Sequence, residues 1–149
     1  MKKLLALAFL TTGLFLTGCS SVPLASQTDD AEAKLFTPIS DKSVIYVYRN
    51  EFFGGAIGMD ITFDGKELGG TTEKRYLRII ANPGTHIIAS QAENRDSVSL
   101  KTEAGKVYYI WQEAKMGVIT ARTKMNIVSD LEGQRGVLQC SLVDHYQPE

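Results

Sequence analysis

The side chains able to do acid–base, nucleophilic or metal chemistry are few and scattered. The chain has two histidines, His86 and His145, and two cysteines, Cys19 and Cys140. His86 follows the turn residues Asn82-Pro83-Gly84 and shares a strand face with Ile88. That position suits an inward histidine hydrogen-bonded at a sheet rim. His145 stands in the polar run DHYQPE and reads as solvated. There is no HExxH, no paired-cysteine spacing and no G-x-S-x-G elbow. Cys140 lies in the apolar run VLQCSL, which predicts a buried thiol rather than a nucleophile. The carboxylates Asp60, Asp64, Glu67, Glu73, Glu93 and Asp96 fall at turns or polar strand faces. No spacing among them pairs two for glycoside hydrolysis. The sequence therefore assigns no catalytic residue, cofactor or metal ligand, and the chain reads as a non-enzyme.

The remaining candidates are aromatic and basic. Residues 54–58 (GGAIG) match neither a phosphate-binding loop nor a dinucleotide fingerprint and predict a bend. Phe52 and Phe53 at its base are expected to pack in the core. An exposed ring there would instead form, with Ile57, an apolar contact surface. Tyr46, Tyr48, Tyr108, Tyr109 and Trp111 invite a sugar-binding reading, but strand aromatics are ordinarily core. Arg49, Arg78 and Arg122 are expected on a solvated sheet face.

The first residues carry a separate signal. Lys2 and Lys3 precede an apolar stretch, residues 4–16, too short to span a bilayer as a helix. Leu16-Thr17-Gly18-Cys19 follows at once and resembles the lipobox of bacterial lipoproteins. The resemblance implies a removable signal over residues 1–18 and a diacylglyceryl thioether on Cys19, the first mature residue. Several acyl chains on one residue make an effectively permanent membrane anchor. Ser20 stands where an inner-membrane retention signal would place Asp, so the resemblance implies the outer membrane, facing the periplasm. Loss of Lys2 and Lys3 takes the net charge from −1 to −3. That balance supplies no counterion-release term for nucleic acid and no polybasic patch for anionic lipid.

The elements that must carry these residues are mostly strands. Residues 20–40 are small and polar and predict a tether, with a short helix over 28–36 capped by Thr28. Residues 44–49 (VIYVYR) are apolar on both faces and predict a central strand. Residues 59–63 alternate and end in Asp64-Gly65, a hairpin signal, with a return strand from Lys66 that Gly69-Gly70 would end. Residues 76–80 and 85–90 are strand-like and joined by Asn82-Pro83-Gly84, predicting a type II turn between paired strands. Residues 97–102, 106–111 and 121–128 are further strands. Ser129 and Glu132 form a capping-box pattern that opens a short helix, weakened by Gly133 and Gly136, before a last strand at 137–143. The whole predicts an all-β fold: one small antiparallel β-sandwich over residues 41–149, with short helices in the tether and near the C-terminus.

YVYRNE at 46–51, FDGKELG at 63–69, NPGTH at 82–86, GKVYYIWQE at 105–113 and KMG at 115–117 resemble a family of bacterial lipoproteins. It is catalogued as domain of unknown function 2846. The resemblance spans roughly residues 33–142. The hairpin and Pro-Gly turn are also similar to the β-repeats called PEGA domains. The family implies export and fold without an activity. Together these readings point to a lipid-anchored envelope module that contacts a protein or the cell wall. The alternative is a small-ligand or saccharide-binding domain, with or without hydrolase activity.

Overall fold

A computed structural model describes residues 22–145 and 147. Two sheets face each other. The first has five strands, β1 (Ser43–Arg49), β4 (Arg75–Ala81), β7 (Val107–Met116), β8 (Ala121–Val128) and β9 (Ser141–Leu142), in the order β8-β7-β1-β4-β9. The second has four, β2 (Met59–Phe63), β3 (Lys66–Thr71), β5 (Gly84–Gln91) and β6 (Arg95–Thr102), in the order β3-β2-β5-β6. Pairing is antiparallel except at β1–β7 and β4–β9. Two short helices, α1 (Gln27–Ala33) and α2 (Asp130–Leu138), complete the fold. The expected β-sandwich with two short helices is the observed one.

The sequence of β1 explains its central place. Ile45 and Val47 point between the sheets, where Ile61, Phe63, Leu77, Ile79, Ile88 and Ile110 meet them. Val44, Tyr46 and Tyr48 point the other way, into a second core with Tyr76, Tyr109, Val137 and Cys140. A strand buried on both faces needs a layer on each side, and the two helices form the second layer. Tyr46 stacks on Tyr109 at 5.4 Å, and its hydroxyl donates to Ala33 O at 2.6 Å. Tyr46, Tyr48 and Tyr109 are core, as strand aromatics were expected to be, and Tyr108 and Trp111 are partly buried.

Glycine lets α2 sit there. A Cβ at Gly133 would lie 2.1 Å from Tyr109 Cγ, and one at Gly136 would lie 2.1 Å from Tyr48 Cε2. The residues expected to weaken this helix are thus the ones that allow it to approach the sheet. Its start is as predicted, with Ser129 Oγ accepting from Glu132 N. Its length is not: α2 takes Val137 and Leu138, and the strand expected at 137–143 shrinks to Ser141–Leu142.

The N-terminal helix also differs from expectation. Ser26, not Thr28, is the N-cap, and the helix ends at Ala33 before Phe36 turns into the left-handed region at φ 54°. Phe36 docks edge-on against Tyr46 and Tyr109, while Leu35 stays exposed. Asp30 ties the helix to β9, accepting from Leu142 N at 2.8 Å and Lys34 Nζ at 2.7 Å. Leu24 bridges Val143, so the chain from Val22 follows the body.

The turns divide in outcome. Asp64 and Gly65, at φ 48° and 83°, close the two-residue β2–β3 hairpin as predicted. Gly69-Gly70 does not end β3. Gly69, at φ 129°, sits at the register shift opposite Ile61, and the strand runs on to Thr71. The Pro-Gly turn joins no paired strands. β4 already has β1 and β9 on its two edges, so the chain crosses at Asn82-Pro83 into the other sheet. Gly84 has φ 157°, close to extended, instead of the +80° of a type II turn.

Candidate functional site

One end of the sandwich gathers the features that the fold itself does not consume. Arg49 closes β1 there. It was expected on a solvated face, yet it is fully buried. Its guanidinium donates to Gly54 O at 2.6 Å, Ile57 O at 2.7 Å and Phe53 O at 3.1 Å. Burial disfavours its charge, and the nearby Glu51 and Glu73 carboxylates support it. A bend without strand partners has carbonyls to satisfy, and one arginine fork satisfies three. The glycine-rich loop is therefore fixed from beneath.

That clamp turns two rings outward. Phe52 and Phe53 are exposed, where core packing was expected. The outward pose follows from what fills the space below: Ile57 packs inward with Met59, Ala92, Ala114 and Ala121. Of the three expected contact residues, the loop presents Phe52 and Phe53 and withdraws most of Ile57. Lys74 Nζ lies 4.6 Å from the Phe52 ring centroid, a cation–π contact.

The β7–β8 hairpin projects beside this loop. A Cβ on Gly54 would come within 3.3 Å of Ala121 Cβ. The hairpin tip is held by Glu93, whose carboxylate accepts from the backbone N–H groups of Val118, Ile119 and Thr120 at 2.8–2.9 Å. Those three bonds hold its pKa at about 2. The tip is hydrogen-bonded to Glu93 and apolar. Phe52 is 74% exposed, Met116 78%, Val118 88% and Ile119 87%. Sequence reasoning missed these last three. Their place between two long β-patterns marks a hairpin tip, but periodicity cannot show that the tip is left uncovered.

The edge of β8 is satisfied by residues 93–96. Glu93 N donates to Ala121 O at 3.1 Å. Asn94 accepts from Thr123 N at 2.8 Å and donates to Thr123 O at 3.0 Å. Asp96 accepts from Met125 N at 2.7 Å. Inside, Gln112 donates to Ser90 Oγ at 2.7 Å and accepts from Thr71, linking the two sheets through a buried polar chain.

A groove of about 510 Å³ lies on the opposite side of β1, against α2. Tyr48, Trp111, Asn50, Glu132, Arg135 and Gln139 line it. The Trp111 indole N–H is buried without a hydrogen-bond partner.

The titratable candidates are each bonded within the fold. His86 Nδ1 meets Asp64 Oδ2 at 2.7 Å and its Nε2 meets Asn82 O at 2.8 Å, while the ring stacks on Phe63 at 4.7 Å. This is the rim histidine the sequence predicted. Burial raises the Asp64 pKa, but His86 and the Ile87 N–H outweigh it and lower the value. His145 was expected in solvent and is instead half-buried. Its ring nitrogens lie 2.8 Å from Val143 O and 3.0 Å from Arg78 O. The chain end beside β4 leaves those carbonyls for it to bridge. Cys140 is buried, its thiol donating to Gly136 O at 3.3 Å and Arg49 O at 3.4 Å. Burial pushes it up to about 12, so the thiolate is scarce. Asp60 and Glu67 are exposed. No group of three or more His, Cys, Asp or Glu placed to hold a metal ion occurs among the described residues. Cys19 lies outside the described residues.

No solved structure matches the chain. An uncharacterized protein of Haemophilus influenzae is 32% identical over 145 residues, covering 95% of this chain and 86% of that protein. A family described as protein of unknown function (DUF2846) matches residues 39–124. That span runs from the approach to β1 into β8, and so holds the Arg49 clamp, the glycine-rich loop, Glu93 and the apolar hairpin tip. The chain belongs to the DUF2846 family.

Proposed function

We propose that this protein is a lipid-anchored module of the bacterial envelope that works by contact rather than by catalysis. The observation that carries the reading is the braced apolar end. Arg49 and Glu93 spend six hydrogen bonds holding two loops whose exposed side chains serve no internal packing. Large apolar side chains fixed in solvent mark an interaction surface. The anchor rests on the lipobox-like LTGC at 16–19, and outer-membrane sorting on Ser20. In this reading the partners are the membrane through Cys19 and a protein or cell-wall component. Metabolic labelling with a palmitate analogue tests it. Wild-type protein should take up label and fractionate with membranes, and Cys19→Ser should do neither. Retention of Cys19→Ser in the outer-membrane fraction would refute the anchor.

A second reading has its own observation, the groove beside α2 lined by the partly buried Trp111. An aromatic ring with Asn50, Arg135 and Glu132 around it suits a saccharide or another small polar ligand. Trp111 is the single tryptophan of the chain, so its fluorescence reports on the groove directly. A saturable change on titration with cell-wall saccharides would favour this reading.

A further inference from the structure

We infer that the apolar end of the sandwich lies against the lipid bilayer itself, with the tip at Val118 and Ile119 and the ring of Phe52 in the headgroup region. The inference rests on the lipid anchor at Cys19 proposed above, and names what that end contacts. Three observations lead to it.

The first is where the chain joins the domain. Val22 and Pro23 line a cleft together with Ala56 and Gly58 of the glycine-rich loop. Three residue steps separate Cys19 from Val22, a reach of at most about 11 Å. An acyl group on Cys19 would therefore hold this flank of the domain close to the bilayer surface. The second is shape. Val118 and Ile119 are almost wholly exposed at a hairpin tip, and Met116 precedes them on the same hairpin. A protruding apolar point has little area to offer a complementary protein face, but it enters a fluid interface without one. Glu93 keeps the tip's three amides bonded, so its backbone brings no unsatisfied donors to the apolar boundary. The third is charge. Lys74 lies over the Phe52 ring and Arg122 flanks the tip on β8, while Lys115, opposite it on β7, is paired with Glu113. Two cations are no polybasic patch, but they set positive charge beside the apolar side chains at headgroup level.

The test uses the full lipidated protein in vesicles of phosphatidylethanolamine and phosphatidylglycerol. Ile119→Cys and, separately, Val118→Cys carry an environment-sensitive nitrobenzoxadiazole dye. Ile87→Cys, exposed on β5 near the opposite end, is the control. Cys140 is buried and does not compete for dye. The dye at 118 and 119 should shift to the blue, be quenched by spin-labelled lipid and resist iodide. The dye at 87 should show none of these. Equal iodide quenching at 119 and 87, on vesicles that carry the protein, would overturn the inference while leaving the anchor intact. Shielding of 119 in intact cells but not in vesicles would assign the tip to a protein partner and also overturn it. Failure of the parent protein to float with the vesicles would instead refute the anchor, before any dye is read, and the inference with it.

Discussion

Gly136→Ala provides a severe test of the helix-on-tyrosine packing. In an exposed helix this change stabilises by about 1 kcal/mol, since alanine is the better helix former. Here the added Cβ would lie 2.1 Å from Tyr48 Cε2 and 2.4 Å from Cζ. An ordinary contact begins near 3.4 Å, so the helix would have to lift by roughly 1.3 Å. Tyr48 is buried in the second core with Val137 and Cys140, so the ring can yield only toward the groove it lines. Overpacking of a tight core costs about 1–3 kcal/mol, and a clash this close belongs at the upper end. Setting about 3 kcal/mol against the propensity gain of about 1 leaves a net loss of about 2 kcal/mol. For a domain of this size that lowers the melting temperature by about 6–10 °C. Thermal unfolding followed by far-ultraviolet circular dichroism measures it. Gly58→Ala is the control, since a Cβ there meets nothing within 4 Å. An unchanged or raised melting temperature for Gly136→Ala would refute the close seating of α2 on the tyrosines.

Two further perturbations test the apolar end. Arg49→Met should cost about 2–4 kcal/mol by leaving three loop carbonyls without their charged donor, and limited proteolysis should then cut within residues 52–58. Glu93→Ala should speed amide exchange at Val118, Ile119 and Thr120 while the exchange of β1 stays slow. Because the Glu93 pKa is lowered from 4.5 to about 2, its support of the tip is complete above pH 4.5 and fades as pH falls toward 2; wild-type tip amides that keep full protection at pH 2 would contradict this.

Local chemistry was the legible part of this fold. Asp64-Gly65 demands positive φ at two residues, and the chain offers the right pair between alternating strands. The two-sided apolar run of β1 announced a strand with layers on both faces. The Pro-Gly turn misled because turn chemistry fixes a bend but not its destination, and β4 had both edges filled by remote strands. Phe52 and Phe53 read as core by residue type alone. Their exposure is decided by Ile57, which takes the inward position, and by Arg49, which fixes the loop backbone. The roles of Glu93, Asn94 and Asp96 were invisible for a related reason. Each bonds backbone more than 20 residues away, and no periodicity records a side chain serving as a strand's neighbour.

That last arrangement has a consequence for self-association. β8 is an outermost strand, and an outermost strand with free N–H and C=O groups is a template on which a second chain can add. Along residues 121–125 the template is already occupied. Ala121 O, both backbone groups of Thr123 and the Met125 N–H are taken by residues 93, 94 and 96 of the same chain. Strand addition along this stretch is opposed without closing the sandwich into a barrel. The cover is thin, since one amide side chain fills both groups of Thr123. Asn94 is therefore the position at which a single substitution would free the most backbone groups of this edge at once.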